Sequence, residues 1–242
     1  MMQLGPHHRL QQLRSRVLKW EGTDSQDLFD RRMTLSEPRA QLEKFGWSGP
    51  DCISYSFNSQ GFRDDEFNND PAGIALGCSF TQGVGIDLDS TWTRQLSNML
   101  DMRIWNLGVG GSATDTAYRL AEYWITHLNV KFVTMCVPDA HRFEIWRYGI
   151  PLALTHNNTS LPELNDFKKV YWGDDQNSNI NQTKNLLAIK QLCAQAGVPF
   201  YYLFVRTHWR NVDPARDLVH SGRESNKMFA EDMHNLIKGT VL

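Results

Sequence analysis

The segment GIALGCS, residues 73–79, is a run of mainly apolar side chains that ends in small and polar residues. Three further runs have the same character: RIWNLGV at 103–109, KFVTMCV at 131–137 and PFYYLFV at 199–205. Continuous apolar runs of this length are typical of strands that are buried on both faces of a parallel sheet. The sequence therefore predicts an α/β fold with a central parallel sheet.

Amphipathic segments between these runs predict the helices that would cover the sheet. Apolar residues mark one helix over 92–100 and another over 189–196, and two more are predicted to begin at about Thr114 and Arg223. Thr114 is suited to cap its helix, and Gly197 is suited to close the helix over 189–196. The stretch 139–178 is mostly polar and predicts a long loop-like segment, with or without small local elements, that shapes the pocket.

Residues 1–70 differ from the rest of the chain and predict an extension that packs on a main domain at 71–242. Apolar residues at helical spacing between Leu10 and Leu18 predict one short amphipathic helix. Polar sequence up to about Pro50 predicts irregular structure. Alternating apolar residues and serines over 53–57 predict a half-buried strand.

Composition excludes several classes of protein. The 242 residues include 25 basic and 27 acidic side chains, a net charge of -2, so neither nucleic acid nor an anionic membrane is expected as a partner. No apolar run approaches the roughly 18 residues of a membrane span, and the start of the sequence lacks a signal peptide's apolar segment. We therefore expect a cytoplasmic protein. The four cysteines have no metal-binding spacing, so reduced thiols and neither metal nor cofactor are expected.

Reactive side chains follow the predicted strands, at the edge where ligands bind in open α/β sheets. They lie in four short segments: Cys78–Ser79, Gly108–Ser112, Pro138–Arg142 and Arg206–His220. Ser79 is placed to present its hydroxyl above the sheet, but a serine hydroxyl needs a base to become a nucleophile. Asp217 and His220, three residues apart before the last helix, are suited to supply one. Taken singly, a turn serine, a capping aspartate and a surface histidine explain the same residues.

Three blocks, taken together and in order, resemble those of the SGNH (GDSL-like) hydrolases. LGCSFTQGVGI at 76–86 resembles the first block, NLGVGGSATD at 106–115 the second and DLVHSG at 217–222 the last, and the resemblance covers roughly 53–238. It implies a flavodoxin-like three-layer α/β/α sandwich. FNSQGFRDDEF at 57–67 also resembles a segment in some bacterial and phage members, so association with a phage particle stays open.

The resemblance also implies roles for residues of the three blocks. Ser79 would be the nucleophile, His220 the base, and Asp217 the residue that orients the base. The backbone N–H groups of Ser79 and Gly111 would form the oxyanion hole.

Two positions depart from the family pattern. Cys78 replaces the aspartate that usually precedes the nucleophile. Pro138 stands where a third block normally places an asparagine whose side-chain N–H binds the oxyanion, and proline has no such donor. Arg142, His141 and Asn106 are the candidates to replace it.

Several other polar residues have two interpretations. Asp139, His141, Arg142 and Glu144 form either a salt-bridged loop or a set of contacts to the substrate or oxyanion. His208 is either a rival base or part of the pocket wall or surface. The glycines of the second block lack the spacing of a nucleotide-binding loop.

The expected function is hydrolysis of a small acyl ester, such as an O-acetyl group on a carbohydrate, through a Ser-His-Asp triad. Two alternatives stay open: an acyltransferase that uses the same triad, and a binding or structural protein that has kept the fold and lost efficient chemistry. The sequence leaves the oligomeric state open.

Overall fold

The computed structural model describes residues 8–155 and 162–239. Its strands are β1 (Val17–Leu18), β2 (Tyr55–Ser56), β3 (Ala72–Leu76), β4 (Ile104–Asn106), β5 (Val130–Val137), β6 (Phe143–Arg147), β7 (Ile150–Leu154) and β8 (Phe200–Phe204). Its α-helices are α1 (His8–Leu13), α2 (Gln26–Met33), α3 (Ser36–Lys44), α4 (Ser79–Gln82), α5 (Trp92–Leu100), α6 (Thr114–His127), α7 (Asn165–Trp172), α8 (Asp175–Ala196), α9 (Val205–His208) and α10 (Arg223–Gly239). Two 3₁₀ turns span Leu88–Ser90 and Pro162–Leu164.

The central sheet confirms the predicted fold class. Its strands are parallel and lie in the order β4-β3-β5-β8, each at the position of one of the four apolar runs. The chain leaves β3 toward β4 and then returns to the other side of β3 to form β5. A reversal of this kind opens a crevice at the carboxyl ends of the strands.

Helices cover both faces of the sheet, because successive side chains of a strand point to opposite faces. Ile74 and Leu76 of β3 face one core, whereas Ala75 between them faces the other. The first core is completed by α6 and α8 and the second by α5 and α10. A third apolar cluster joins the N-terminal segment to the main domain, since Tyr55 and Trp47 pack there with Ala215.

The N-terminal segment is more regular than its sequence predicts. The helix predicted between Leu10 and Leu18 ends at Leu13, because Ser15 adopts a φ of 52° and Val17–Leu18 instead form β1, paired with β2. The alternation over 53–57 is confirmed, with the apolar side chains buried and the serines exposed. Two helices, α2 and α3, occupy the stretch that was predicted to be irregular.

The prediction of a loop over 139–178 is wrong for most of that stretch. It contains the antiparallel hairpin β6-β7, helix α7 and the first residues of α8. Helix α8 begins at Asp175 because the Asp174 side chain accepts a hydrogen bond from the Gln176 N–H and caps it. Its predicted end at Gly197, with a φ of 69°, is confirmed. Helix α6 begins at Thr114 as predicted, but Ala113 occupies the capping position.

All four cysteines, Cys52, Cys78, Cys136 and Cys193, are free thiols. Within the described residues, no cluster of three or more His, Cys, Asp or Glu side chains is arranged to hold a metal ion. The same part of the chain contains no helix of the length and apolar character needed to cross a membrane.

Candidate active site

Ser79 is presented by a sharp turn between β3 and α4. Gly77 in this turn has a φ of 152°, and a Cβ at this position would lie only 2.1 Å from Oγ1 of Thr81. A glycine is therefore required for α4 to start directly above the strand. Ser79 is the first residue of α4 and is 7% exposed.

Ser79, His220 and Asp217 form a continuous chain of hydrogen bonds. Nε2 of His220 lies 2.7 Å from Oγ of Ser79, and Nδ1 of His220 lies 2.6 Å from Oδ2 of Asp217. The other carboxylate oxygen, Oδ1, accepts hydrogen bonds from the backbone N–H groups of Val219 and His220 at 3.1 and 2.9 Å. The loop before α10 thus holds the carboxylate and the imidazole in one fixed turn. The structure brings together the three residues that the sequence blocks single out.

The electrostatics favour a charged Asp217. Its side chain is fully buried, and burial alone would raise the pKa of this carboxyl. The hydrogen bond and charge of His220, together with a hydrogen bond from Thr23, outweigh burial and lower the pKa of Asp217 below its ordinary value. The carboxylate is therefore available to hold the imidazole N–H.

Aromatic rings support His220 from one side. The ring of Phe80, the residue after Ser79, packs edge-on against the imidazole with a centroid distance of 4.9 Å. Trp209 packs in the same way against Phe80 at 5.0 Å. These contacts restrict rotation of the imidazole and form an apolar wall beside the serine.

Ser79 and Gly111 are the residues whose backbone N–H groups the sequence blocks assign to an oxyanion hole. Neither the N–H of Ser79 nor that of Gly111 donates a hydrogen bond to another described residue. Gly111 has a φ of 75°, and a Cβ built on it would meet no atom within 4 Å. Ser112 ties this turn to β3, because its hydroxyl donates to the carbonyl of Gly77 at 3.1 Å.

Asn106, a candidate third donor, connects α4 to the loop after β4. It is completely buried, and its side-chain amide donates to the carbonyl of Thr81 at 2.7 Å. Its side-chain oxygen accepts from the N–H of Gly108 at 2.9 Å. Asn106 thus holds α4 against the loop that carries Gly111.

Pro138 follows β5, the strand that pairs with β3. Its ring has no donor, and its carbonyl accepts a hydrogen bond from Nε2 of Gln182 at 2.9 Å. Arg142 lies four residues further on, and its Nη1 is buried without a hydrogen-bond partner among the described residues. Its charge reaches the thiol of Cys136: burial and Cys78 raise the pKa of this thiol, and Arg142 opposes the shift.

The salt bridge expected between Arg142 and Asp139 or Glu144 does not form within the described chain, since other arginines occupy both carboxylates. Arg206 donates from Nε to Asp139 at 2.8 Å, and Arg119 donates from Nε to Glu144 at 2.7 Å. Burial would raise the pKa of Asp139, but the His141 N–H and Arg206 lower it below its ordinary value.

A cavity of about 290 Å³ opens at the carboxyl ends of β5 and β8. Its lining includes Pro138, Asp139, His141, Asn179, Gln182 and Arg206. Nε2 of His141 lies 3.8 Å from Asp175, which also borders the cavity.

His208 makes no hydrogen bond to Ser79. It is exposed, and its Nδ1 accepts a hydrogen bond from the N–H of Phe204 at 3.2 Å. The structure thus brings His220, and not His208, to Ser79.

Sequence reasoning missed two residues that support the site. Thr23, in the N-terminal segment, donates from its hydroxyl to Oδ2 of Asp217 at 2.5 Å. Arg63 is buried and donates to the carbonyls of Gly83, Ile86 and Ser54, which fixes the chain that follows α4. Burial lowers the pKa of Arg63 to about 10. Arg63 lies in the block at 57–67, but the resemblance of that block assigned it no role, and no local pattern marks Thr23.

No protein-family model and no curated protein matches this sequence. Solved structures similar to the chain include a member of the lipolytic protein G-D-S-L family from Veillonella parvula, with 12% identity, 71% of this chain and 100% of that chain covered, and a TM-score of 0.36. A family 3 carbohydrate esterase from Clostridium thermocellum has 14% identity, with 71% and 97% covered and a TM-score of 0.38. An acetyl xylan esterase from the rumen bacterium Butyrivibrio proteoclasticus has 11% identity, with 74% of this chain but only 66% of that chain covered, and a TM-score of 0.42.

Proposed function

We propose that this chain is a serine ester hydrolase of the SGNH type. The observation that carries the proposal is the unbroken chain of hydrogen bonds from Ser79 through His220 to the buried carboxylate of Asp217. A serine, a histidine and a carboxylate in this order are the arrangement that turns a hydroxyl into a nucleophile.

Each group has a distinct part in the proposed reaction. Oγ of Ser79 attacks the ester carbonyl carbon while Nε2 of His220 accepts the hydroxyl proton, and Asp217 stabilises the imidazolium that forms. The negative charge that develops on the carbonyl oxygen is stabilised by the N–H groups of Ser79 and Gly111. The bond to the leaving alcohol then breaks, and His220 returns the proton to that alcohol. Water repeats the sequence on the acyl-serine, which releases the acid and the free enzyme.

The cavity at the carboxyl ends of β5 and β8 supports a neutral, hydroxylated alcohol as the other half of the ester, although none of Ser79, His220 and Asp217 lines it. Asp139 is paired with Arg206, so these two charges on the lining compensate each other, and the carboxylate of Asp175 is mostly exposed. Asn179 and Gln182 contribute amide groups, which donate to and accept from hydroxyls. We therefore propose a small acyl group, such as acetyl, carried on a carbohydrate or similar polyol.

The test uses a fluorophosphonate probe, which reacts with an activated serine, and intact-mass measurement. The wild-type chain should gain the mass of one probe and hydrolyse p-nitrophenyl acetate, whereas Ser79→Ala should do neither. The matched control is Ser48→Ala, which removes an exposed serine of the N-terminal segment and should label like the wild type.

One observation favours the alternative of a protein that binds without efficient turnover: Pro138 supplies no side-chain donor to the oxyanion. A folded wild-type chain that takes up no probe would support this alternative and contradict the proposed esterase. If the chain labels but transfers its acyl group to an added sugar faster than to water, it is an acyltransferase.

A further inference from the structure

The hydroxyl of Thr23 reaches the pair that activates the proposed nucleophile. Its Oγ1 donates to Oδ2 of Asp217 at 2.5 Å and lies 3.4 Å from Nδ1 of His220. Oδ2 of Asp217 therefore accepts from Thr23 and His220 together, while Oδ1 accepts two backbone N–H groups. Both oxygens of the carboxylate are thus held by donors from more than one direction.

The turn that carries Thr23 is itself anchored to the loop that carries Asp217. Glu21 and Asp24 close this turn by pairing their backbones at 2.8 and 3.1 Å. Asp24 is buried, and its carboxylate accepts from Nε and Nη2 of Arg216 at 3.0 and 2.6 Å. Because Arg216 precedes Asp217 in the chain, this ion pair fixes Thr23 beside the catalytic carboxylate.

Tyr55 completes the anchor from a third segment. Its hydroxyl donates to Oδ2 of Asp24 at 2.5 Å and accepts from the N–H of Gly85 at 2.8 Å. Burial and then the charge of Asp24 raise the pKa of Tyr55, so it remains protonated and keeps donating. The backbone N–H of Arg216 donates in turn to the carbonyl of Gly85 at 2.9 Å.

We propose that Thr23 is a positioning residue of the active site, supplied by the N-terminal segment. It acts through Asp217: its hydroxyl fixes the rotation of the carboxylate, so that Oδ2 stays directed at Nδ1 of His220. This inference rests on the proposed esterase function. It predicts an effect on the chemical step and none on binding of the ester, because Thr23 lies on the Nδ1 side of the imidazole, opposite Ser79.

The experiment compares Thr23→Val, which removes the hydroxyl and keeps the branched shape, with Thr23→Ser, which keeps the hydroxyl donor. Thr34→Val is the matched control, because Thr34 is also exposed, lies in the same segment and donates only to the nearby carbonyl of Arg31. Thr23→Val should lower kcat for p-nitrophenyl acetate and the rate of fluorophosphonate labelling about tenfold, the effect expected for a lost hydrogen bond to a charged group. KM should stay within about twofold, and Thr23→Ser and Thr34→Val should match the wild type.

Two outcomes would overturn the inference. One is a Thr23→Val variant with the labelling rate and kcat of the wild type. The other is a fall in melting temperature with unchanged turnover per folded molecule, which would make Thr23 a structural residue. Failure of the proposed function gives a different pattern, because the wild type would then not label at all or Ser79→Ala would still hydrolyse the ester.

Discussion

The loop after β3 and the loop after β5 leave adjacent strands at the same edge of the sheet, yet only one of them carries all the groups that the proposed ester hydrolysis needs from it. The first carries Ser79, whose N–H has no hydrogen-bond partner among the described residues and whose hydroxyl lies 2.7 Å from Nε2 of His220. The second begins with Pro138, which has no side-chain donor. Its carbonyl accepts a hydrogen bond from the side chain of Gln182, which fixes the position of the backbone.

In the proposed esterase, this difference separates two requirements of acyl transfer. Activation of the nucleophile depends on the loop after β3 and on the loop before α10, and that half of the site is complete. Stabilisation of the oxyanion draws on the loops after β4 and β5, and it lacks the usual side-chain donor at the second of these. Loss of one such donor typically costs about 10²–10³ in rate. Arg142 belongs to that loop, and its buried Nη1 has no hydrogen-bond partner among the described residues, so it is available to donate.

The largest expected effect concerns activation of Ser79 by His220. His220→Ala should lower turnover of p-nitrophenyl acetate by about 10³-fold or more, because Ser79 then has no base. Combination with Ser79→Ala should add little further loss, since the two side chains act as one unit.

His208→Ala is the control for this test and should keep the turnover of the wild type. If turnover falls with His208→Ala and survives His220→Ala, the assignment of the base is wrong. Both variants are judged by steady-state kinetics after circular dichroism has shown the same folded content.

A second test addresses the donors of the oxyanion hole. If Arg142 supplies the missing donor, Arg142→Ala should lower kcat at least about tenfold, around 1.4 kcal/mol in the barrier, with little change in melting temperature. Arg142→Lys should recover only part of the rate, because an ammonium lacks the fixed donors of a guanidinium.

Pro138→Asn complements this test by restoring the amide of the family pattern. A gain in kcat would show that the oxyanion hole of the wild type lacks a donor. A rate equal to that of the wild type, combined with a loss in Arg142→Ala, would show that Arg142 already occupies that role. Rates equal to that of the wild type in both Pro138→Asn and Arg142→Ala would mean that the oxyanion hole lacks no donor and that Arg142 does not contribute to it.

The smallest effect concerns the stability that comes from Asp217. Its pKa in the folded chain is lower than the ordinary value of 3.8, so its contribution is present above that pH and is lost as the pH falls below it. Asp217→Asn should therefore lower the free energy of unfolding by about 1–3 kcal/mol near neutral pH. The difference from the wild type should shrink below about pH 4, as measured by urea unfolding. The exposed Asp30 serves as the control, since Asp30→Asn should change stability by less than about 0.5 kcal/mol at any pH.

The sheet was predictable because its strands are buried on both faces and therefore leave continuous apolar runs. Helices α2 and α3 and the first half of α8 were not predicted, because they leave no such pattern in the sequence. Helix α2 buries only Phe29, and α3 buries only Leu42. The 22 residues of α8 bury Ser178, Ile189 and Cys193, of which only the last two are apolar. A helix with so few buried side chains has no apolar stripe to read, although caps at Ser25 and Asp174 mark where α2 and α8 begin.

The candidate site was predictable where its residues stand in compact blocks, as Asp217 and His220 do. Thr23 belongs to no block, because its role depends on the buried pair of Asp24 and Arg216, which are far apart in sequence. Arg142 illustrates a different limit. Its neighbours in sequence offer two carboxylates, but Arg206 and Arg119 reach them from other parts of the chain.

The bond from Thr23 to Asp217 spans 194 positions, and that from Ser79 to His220 spans 141. Contacts between such distant residues require large loops to close before they contribute any stability, so they tend to form late in folding. The apolar clusters depend on equally distant residues, since Trp92 packs with Phe229 and Tyr55 packs with Ala215. Reactivity of the serine would therefore report that both ends of the chain have docked on the sheet.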